Sequence, residues 1–275
     1  MEYVILFFTG IFGGIIAGLL GLGGGIFYII ILPFALTWFG IPAEETSAFV
    51  IANSLIGIAF ASGTSILKEF KSIKNYYQES MIIAVPAVIL SLLATNYIVH
   101  SAWFSKEIFS GFVIILMIFI LLQMHFRKNK NRNNSGTSPR IKTTSGIFSG
   151  GIAGFISALS GMGGGIIMIP MLQIGFKQAV RKSKLISLSM IFLASSFISL
   201  QNLLSHAKYQ DPSINMIGYI IPVIAIPLIL GVFVGSPLGV RWSHQINDKR
   251  LNQAFLLFVL MVMIEKSYGL FWNYL

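Results

Sequence analysis

The chain contains no cysteine, and only 9 of its 275 residues are Asp or Glu. Without Cys there is no disulfide frame, thiol nucleophile or thiolate metal site. So few acids leave no carboxylate-lined core of the kind a carrier of cationic solutes needs. Charged residues of both signs make up 10%, against roughly 25% in an average soluble domain. Hydrophobic residues make up 55% and the mean hydropathy is +0.81. An ordinary soluble domain and a disordered chain are both excluded. His-Glu-x-x-His, Gly-x-Ser-Gly and Gly-x-Gly-Asp are missing, so no intramembrane enzyme and no catalytic residue is expected. His100, His125 and His206 sit at the ends of apolar runs and His244 in a basic loop. None has a second ligand at metal spacing, so no metal site and no cofactor are expected.

What is present is a series of uncharged stretches: 3–43, 46–67, 80–105, 108–126, 143–176, 185–207, 212–240 and 251–264. A bilayer core needs about 20 apolar residues of helix. These runs are too long and too apolar for barrel strands, and a helix satisfies its own backbone inside lipid. The fold class is an all-α polytopic membrane protein. The first apolar run has no basic residue before it and no A-x-A site after it, so it is expected to be a retained helix. Residues 127–142 carry six basic residues and no acid, and read as a solvated linker. Such a basic stretch beside membrane helices is a loop, and no nucleic-acid partner is expected.

The linker separates two related halves. Gly10, Gly14, Gly21, Gly23, Gly24 and Gly25 match Gly150, Gly154, Gly161, Gly163, Gly164 and Gly165 at one offset. Downstream, Ala43-x-x-Thr46-Ser47 matches Ala179-x-x-Lys182-Ser183. The organisation expected is a first membrane repeat over 1–126, a basic linker over 127–145 and a second repeat over 146–275.

Charge placement decides how the halves cross. As one helix, 3–43 would be about 60 Å long, twice the hydrocarbon thickness. If each glycine-hinged region crosses once, the basic residues divide almost evenly between the two sides. If each folds back at its glycines, sixteen of the 19 lie on the linker side. That is the positive-inside pattern. Each half is therefore expected to be a glycine-hinged helical hairpin plus three transmembrane helices. Three spans after a hairpin is an odd number, so the two repeats have inverted topology, with the linker cytoplasmic.

Gly23, Gly24, Gly25 and Gly163, Gly164, Gly165 are the expected substrate-binding elements. Three consecutive glycines weaken a helix that needs only to pack. They let a ligand approach the backbone, and the half-helix that follows points its positive end at the hinge. Two hinges meeting near the midplane would make one site for a small anion. Asn53, Ser54, Ser183 and Ser187 are the candidate polar donors. Gly10, Gly14, Gly150 and Gly154 read as helix packing. The nucleotide fingerprint is not met, because no strand precedes the glycines and no acid follows at the right distance. Lys182 reads as a positive-inside residue, Glu265 and Lys266 as a snorkelling pair, and 68–79 as a short interfacial stretch. Small-residue faces would allow a homodimer.

These residues resemble the TauE/SafE family of sulfite exporters. The resemblance rests on Gly21-Leu-Gly-Gly-Gly25, on Gly161-Met-Gly-Gly-Gly165 with Pro170 after it, and on the paired Ala-x-x-x-Ser segments. Gly231-Val-Phe-Val-Gly235 with Arg241 completes it. It implies a multi-pass permease of the bacterial cell (inner) membrane that exports sulfite or an organosulfonate, coupled to an ion gradient. Two departures bear on the substrate. Lys182-Ser183 stands where Thr-Ser is common, and 86–100 lacks counterparts of Gly231, Gly235 and Gly239. A permease for another small anion or a neutral solute, or a membrane scaffold, are the alternatives. The topology is checked with an epitope at residue 135. It should be reached by antibody only after the membrane is opened; labelling on intact cells would overturn the inverted arrangement.

Overall fold

The computed structural model describes residues 2–42, 45–101, 140–209 and 214–247. Single helical positions between 108 and 118 and between 250 and 260 are also described. Ala43, His125, the linker before Arg140, and Glu265 with Lys266 lie outside the described residues.

Among the described residues eight helices have defined bounds, in order: α1 (Glu2–Leu20), α2 (Gly25–Trp38), α3 (Thr46–Ile73), α4 (Tyr77–Ala94), α5 (Thr143–Ser160), α6 (Gly165–Pro170), α7 (Val180–Leu204) and α8 (Pro222–Gln245). α4 runs on through a π turn at Thr95–Val99, and α6 through another at Met171–Gly175. No strand occurs among the described residues; one isolated bridge joins Ile217 and Ile220. The stretches 2–20, 46–99, 180–204 and 222–245 are long and apolar enough to cross a bilayer, and 25–38 and 165–175 are shorter. Hydroxyls inside these helices bond back to carbonyls one turn earlier, as Thr9 does to Ile5, Ser65 to Ala61 and Ser195 to Ile191. These three are thereby satisfied without water. Phe8, Phe12, Val85, Leu93, Leu230 and Val234 are exposed on the outside, which is where acyl chains would lie.

The halves are interleaved. α1 packs along α8 and α5 along α4, while α3 and α7 cross through the centre. α3 and α4 turn back at the short 3₁₀ turn Lys74–Tyr76. Inside lipid the hydrophobic effect does not draw helices together, so close backbone approach must. Gly10, Gly14 and Gly18 supply it on α1, and Gly231, Gly235 and Gly239 on α8. A Cβ on Gly14 would stand 2.8 Å from the Ser236 nitrogen, and one on Gly235 would stand 2.8 Å from the Ile11 carbonyl carbon. Gly150 and Gly154 meet the backbone of Ile83 and Ala87 in the same way. The stretch 86–100 therefore needs no glycines of its own: α4 presents buried Ala84 and Ala87 and leaves the close approach to α5.

Pro33, Pro86, Pro170, Pro227 and Pro237 lie inside helices, and Pro222 starts α8. Residues 68–79 are not a surface stretch throughout. Lys68, Phe70, Lys71 and Tyr77 are exposed, whereas Glu69 and Glu79 turn inward and are buried.

A bulky side chain at the α1–α8 contact has no room. Gly235→Leu should lower stability in detergent by about 3 kcal/mol or more. Gly175→Ala, which meets nothing within 4 Å, should stay within about 0.5 kcal/mol of wild type. Thermal unfolding of the purified protein checks both.

Candidate functional site

Each helical half opens with a break. Gly21, Gly23 and Gly24 have φ of 76°, 79° and 77°; Gly161, Gly163 and Gly164 have 63°, 83° and 70°. An L-residue in this left-handed region costs about 1–2 kcal/mol, so the repeated triplet is demanded by the backbone path itself. The chain then doubles back. Gly24 rests on the backbone of Gly13, in the middle of α1, and Gly164 rests on that of Ala153 in α5. Phe27 lies against Phe12, ring centroids 5.9 Å apart. Each break is thus the tip of a hairpin.

The two tips meet. A Cβ on Gly25 would lie 2.8 Å from Met162 Cα, and one on Gly165 would lie 3.1 Å from Leu22 Cα. Gly23 and Gly163 both face the same two side chains, Ile58 of α3 and Ile191 of α7. The first turns of α2 and α6 follow directly, and no side chain caps either. Helix geometry leaves their first N–H groups without intrahelical partners.

Two hydroxyls lock the tips crosswise. Ser187 donates to the Gly21 carbonyl at 3.1 Å, and Ser54 donates to the Gly161 carbonyl. Ser54 and Ser187 therefore join the six glycines, bonded to carbonyls of the hinges. Asn53 and Ser183 do not. Asn53 donates to the Tyr219 carbonyl at 3.1 Å and accepts from the Ile221 amide at 3.0 Å, holding the segment that leads into α8. Ser183 bonds to Ala179, one turn back at the start of α7.

These contacts also correct the repeat register. Ser54 and Ser187, Ile58 and Ile191, and the hinge-touching pair Ile51 and Lys184 are each 133 residues apart. The sequence match of Thr46-Ser47 with Lys182-Ser183 implied 136. Three residues are nearly a full helical turn, so Lys182 stands level with Phe49 and not with Thr46.

At the end where α3, α7 and α8 carry their basic residues, a cavity of about 260 Å³ lies against Glu69, Ser72, Asn75, Arg181, Lys184 and His244. Lys184 packs its stem on Gly21. Its ammonium lies 3.2 Å from Glu69 and 2.6 Å from the Ser243 hydroxyl. Lys182 is paired with Glu79 at 2.7 Å, and Glu79 also accepts from the Ile141 amide at 3.2 Å. Lys182 is therefore not a free inner-surface charge: it and Lys184 are both nine-tenths buried. Neither the buried carboxylates nor their pairing was evident in the sequence. The partners are more than a hundred residues apart, and the acids sit among exposed lysines.

The opposite end of the described helices carries a cluster of aromatic and amide groups. His100 stacks on Tyr219 with centroids 4.3 Å apart and bonds Asn202 at 3.0 Å. Tyr219 also packs on Phe49. Burial pushes the His100 imidazole below its usual range and the Tyr219 phenol above its own, favouring the neutral form of each. No cluster of metal-ligating side chains occurs among the described residues.

Comparisons with known proteins find one family model and several membrane transporter relatives. The family model for the sulfite exporter TauE/SafE matches residues 6–265. A probable membrane transporter protein of Methanocaldococcus jannaschii is 31% identical over 90% of this chain and 89% of its own. The probable membrane transporter protein YunE of Bacillus subtilis is 25% identical over 98% of this chain and all of its own. A probable membrane transporter protein of Haemophilus influenzae is 24% identical over 94% and 95%. No solved structure matches.

The Lys182–Glu79 pair gives a direct test. Breaking a buried pair leaves one charge alone, at a cost of about 3–5 kcal/mol. Lys182→Met and Glu79→Gln should each destabilise by roughly that amount. The double variant should lose much less than their sum, as read from a thermal-unfolding cycle.

Proposed function

The chain belongs to the sulfite exporter TauE/SafE family, and we propose that it exports a small sulfur-containing anion, sulfite or an organosulfonate, past the paired glycine hinges. It is a multi-pass membrane transporter; the substrate and its path are our reading. The observation that carries it is the convergence of two uncapped, glycine-walled helix starts on one point, locked by Ser54 and Ser187. Helix N-termini favour anions without a charged side chain. Gly23 and Gly163 carry no side chain of their own, so an oxyanion reaches their amides once the residues covering them part.

Ile58 and Ile191 cover both hinges in this conformation. Passage therefore requires these side chains to part, which the crosswise Ser54 and Ser187 bonds couple to movement of the hinges. The crossed packing of α1 on α8 and α5 on α4 supports an inverted pair of repeats. The basic end then lies in the cytoplasm of a bacterial cell and the Tyr219 end faces out. The cavity beside Lys184 then opens toward the cytoplasm.

Gly24 and Gly164 are poor places to test this, because any side chain there strikes α1 or α5. Ser54→Ala with Ser187→Ala is the better probe. In proteoliposomes the wild type should move sulfite or sulfoacetate in preference to chloride. The double variant should be slower by at least about tenfold, for one lost hydrogen bond at each hinge. If the folded wild type moves no anion, the reading fails, and neutral solutes or a scaffold role take its place.

A further inference from the structure

The cavity beside Lys184 has a feature that the hinges lack: a buried cation already occupied by a carboxylate of the same chain. We propose that this cavity is an oxyanion site in its own right. Lys184 takes the anion, and Glu69 is a tethered competitor that holds Lys184 when no anion is bound. The proposal rests on the anion-transport reading above and names the first subsite of that path.

The two buried lysines of α7 are not equivalent. Lys182 is fixed, because its partner Glu79 also holds the Ile141 amide at the start of α5. Glu69 has a different set of partners. Its Oε1 lies 3.2 Å from Lys184 Nζ and 3.2 Å from His244 Nε2. Lys184 can therefore leave this oxygen without stranding a buried carboxylate, since the His244 ring N–H remains. The imidazole is about half exposed, at 53%, whereas the Glu69 side chain is at 6%. One partner of Glu69 thus opens to the aqueous mouth while the other points into the protein. A buried charge stripped of every partner is costly; this arrangement avoids that step.

The walls fit an oxyanion. Arg181 stands one helical turn before Lys184, and Ser72 and Asn75 add neutral donors. Guanidinium and hydroxyl groups match the several oxygens of a sulfite or sulfonate better than a monatomic halide. The volume of about 260 Å³ falls below the roughly 300–1,000 Å³ of pockets for drug-sized ligands, so the occupant is small. The Lys184 stem lies on Gly21, so the residue that takes the anion also touches the first hinge. Exchange of Glu69 for an anion would change the side chain that packs on that hinge.

The test is calorimetric titration of sulfite, methanesulfonate and chloride into the purified full chain. Glu69→Gln keeps the shape and a hydrogen bond to Lys184 but removes the competing charge. It should bind sulfite about tenfold more tightly, the factor for one charge-assisted hydrogen bond no longer to be displaced. Lys184→Met should lose binding. Should that variant fail to fold, Glu69→Gln with Lys184→Met leaves no unpaired buried charge and should fold without binding. His244→Gln should weaken binding, because Glu69 then has less to hold when Lys184 leaves.

Unchanged or weaker affinity in Glu69→Gln overturns the proposal, as does wild-type affinity in the neutral double variant. The hinge variant Ser54→Ala with Ser187→Ala separates the two readings. If it slows transport while Glu69→Gln leaves affinity unchanged, the hinges stand and only the cavity site falls. If no form of the protein binds an oxyanion, both fall.

Discussion

Gly10, Gly14 and Gly18 meet Gly231, Gly235 and Gly239 with only backbone between them. Surrounded by lipid, two helices have no water to escape from. They stay together through van der Waals contact over a long, close seam. Everything else in the molecule is hung from that seam and its counterpart between α4 and α5. The seams place α1 and α5 so that Gly13 and Ala153 can receive the returning hairpins, and the hairpin tips then have nowhere to go but towards each other. The central pair α3 and α7 fills the space left between the seams. Ile58, Ile191, Ser54 and Ser187 point at the tips because those helices run through the middle.

The two ends of this core are built from different materials. The Tyr219 end carries a stacked imidazole and phenol, two amides and the segment leading into α8, with Asn53 bonded to that segment's backbone and Asn202 to His100. The other end carries two buried ion pairs, and a cavity lies beside them. Stacking and amide bonds are individually modest. Ion pairs out of water resist separation unless a substitute charge arrives. The two ends of the core therefore differ in what it costs to part them.

Much of this plan was legible in the sequence because glycine is a backbone signal. The seam glycines announced themselves by their spacing of four. The hinge triplets did so by recurring at one offset, and the break they imply is required by positive φ at six residues. Ser54 and Ser187 were recognisable as polar residues in apolar helices, but not as bonded to the hinges' carbonyls. Three things were hidden. The register of α7 against α3 slipped by three residues, because similar letters at Thr46-Ser47 and Lys182-Ser183 outweighed geometry that only contact reveals. Asn53 reads the same whether it faces a ligand or a neighbouring segment. Glu69 and Glu79 sit among Lys68, Lys71 and Lys74, and a charged run of that kind gives no hint that its two acids turn inward to partners on another helix.

The interleaving of the halves has a consequence for how the protein is made. α1 leaves the ribosome first, while α8, the surface against which its glycines fit, begins about two hundred residues later. At 5–20 residues per second that is roughly 10–40 s of synthesis. Throughout it, a helix with a bare glycine face waits in the membrane without its mate. α5 has no such wait, since α4 is already in place when it emerges. The second seam can therefore close during translation and the first only near its end. A chain truncated before α8 would carry an intact second seam and an open first one, which is the kind of surface that membrane quality control recognises.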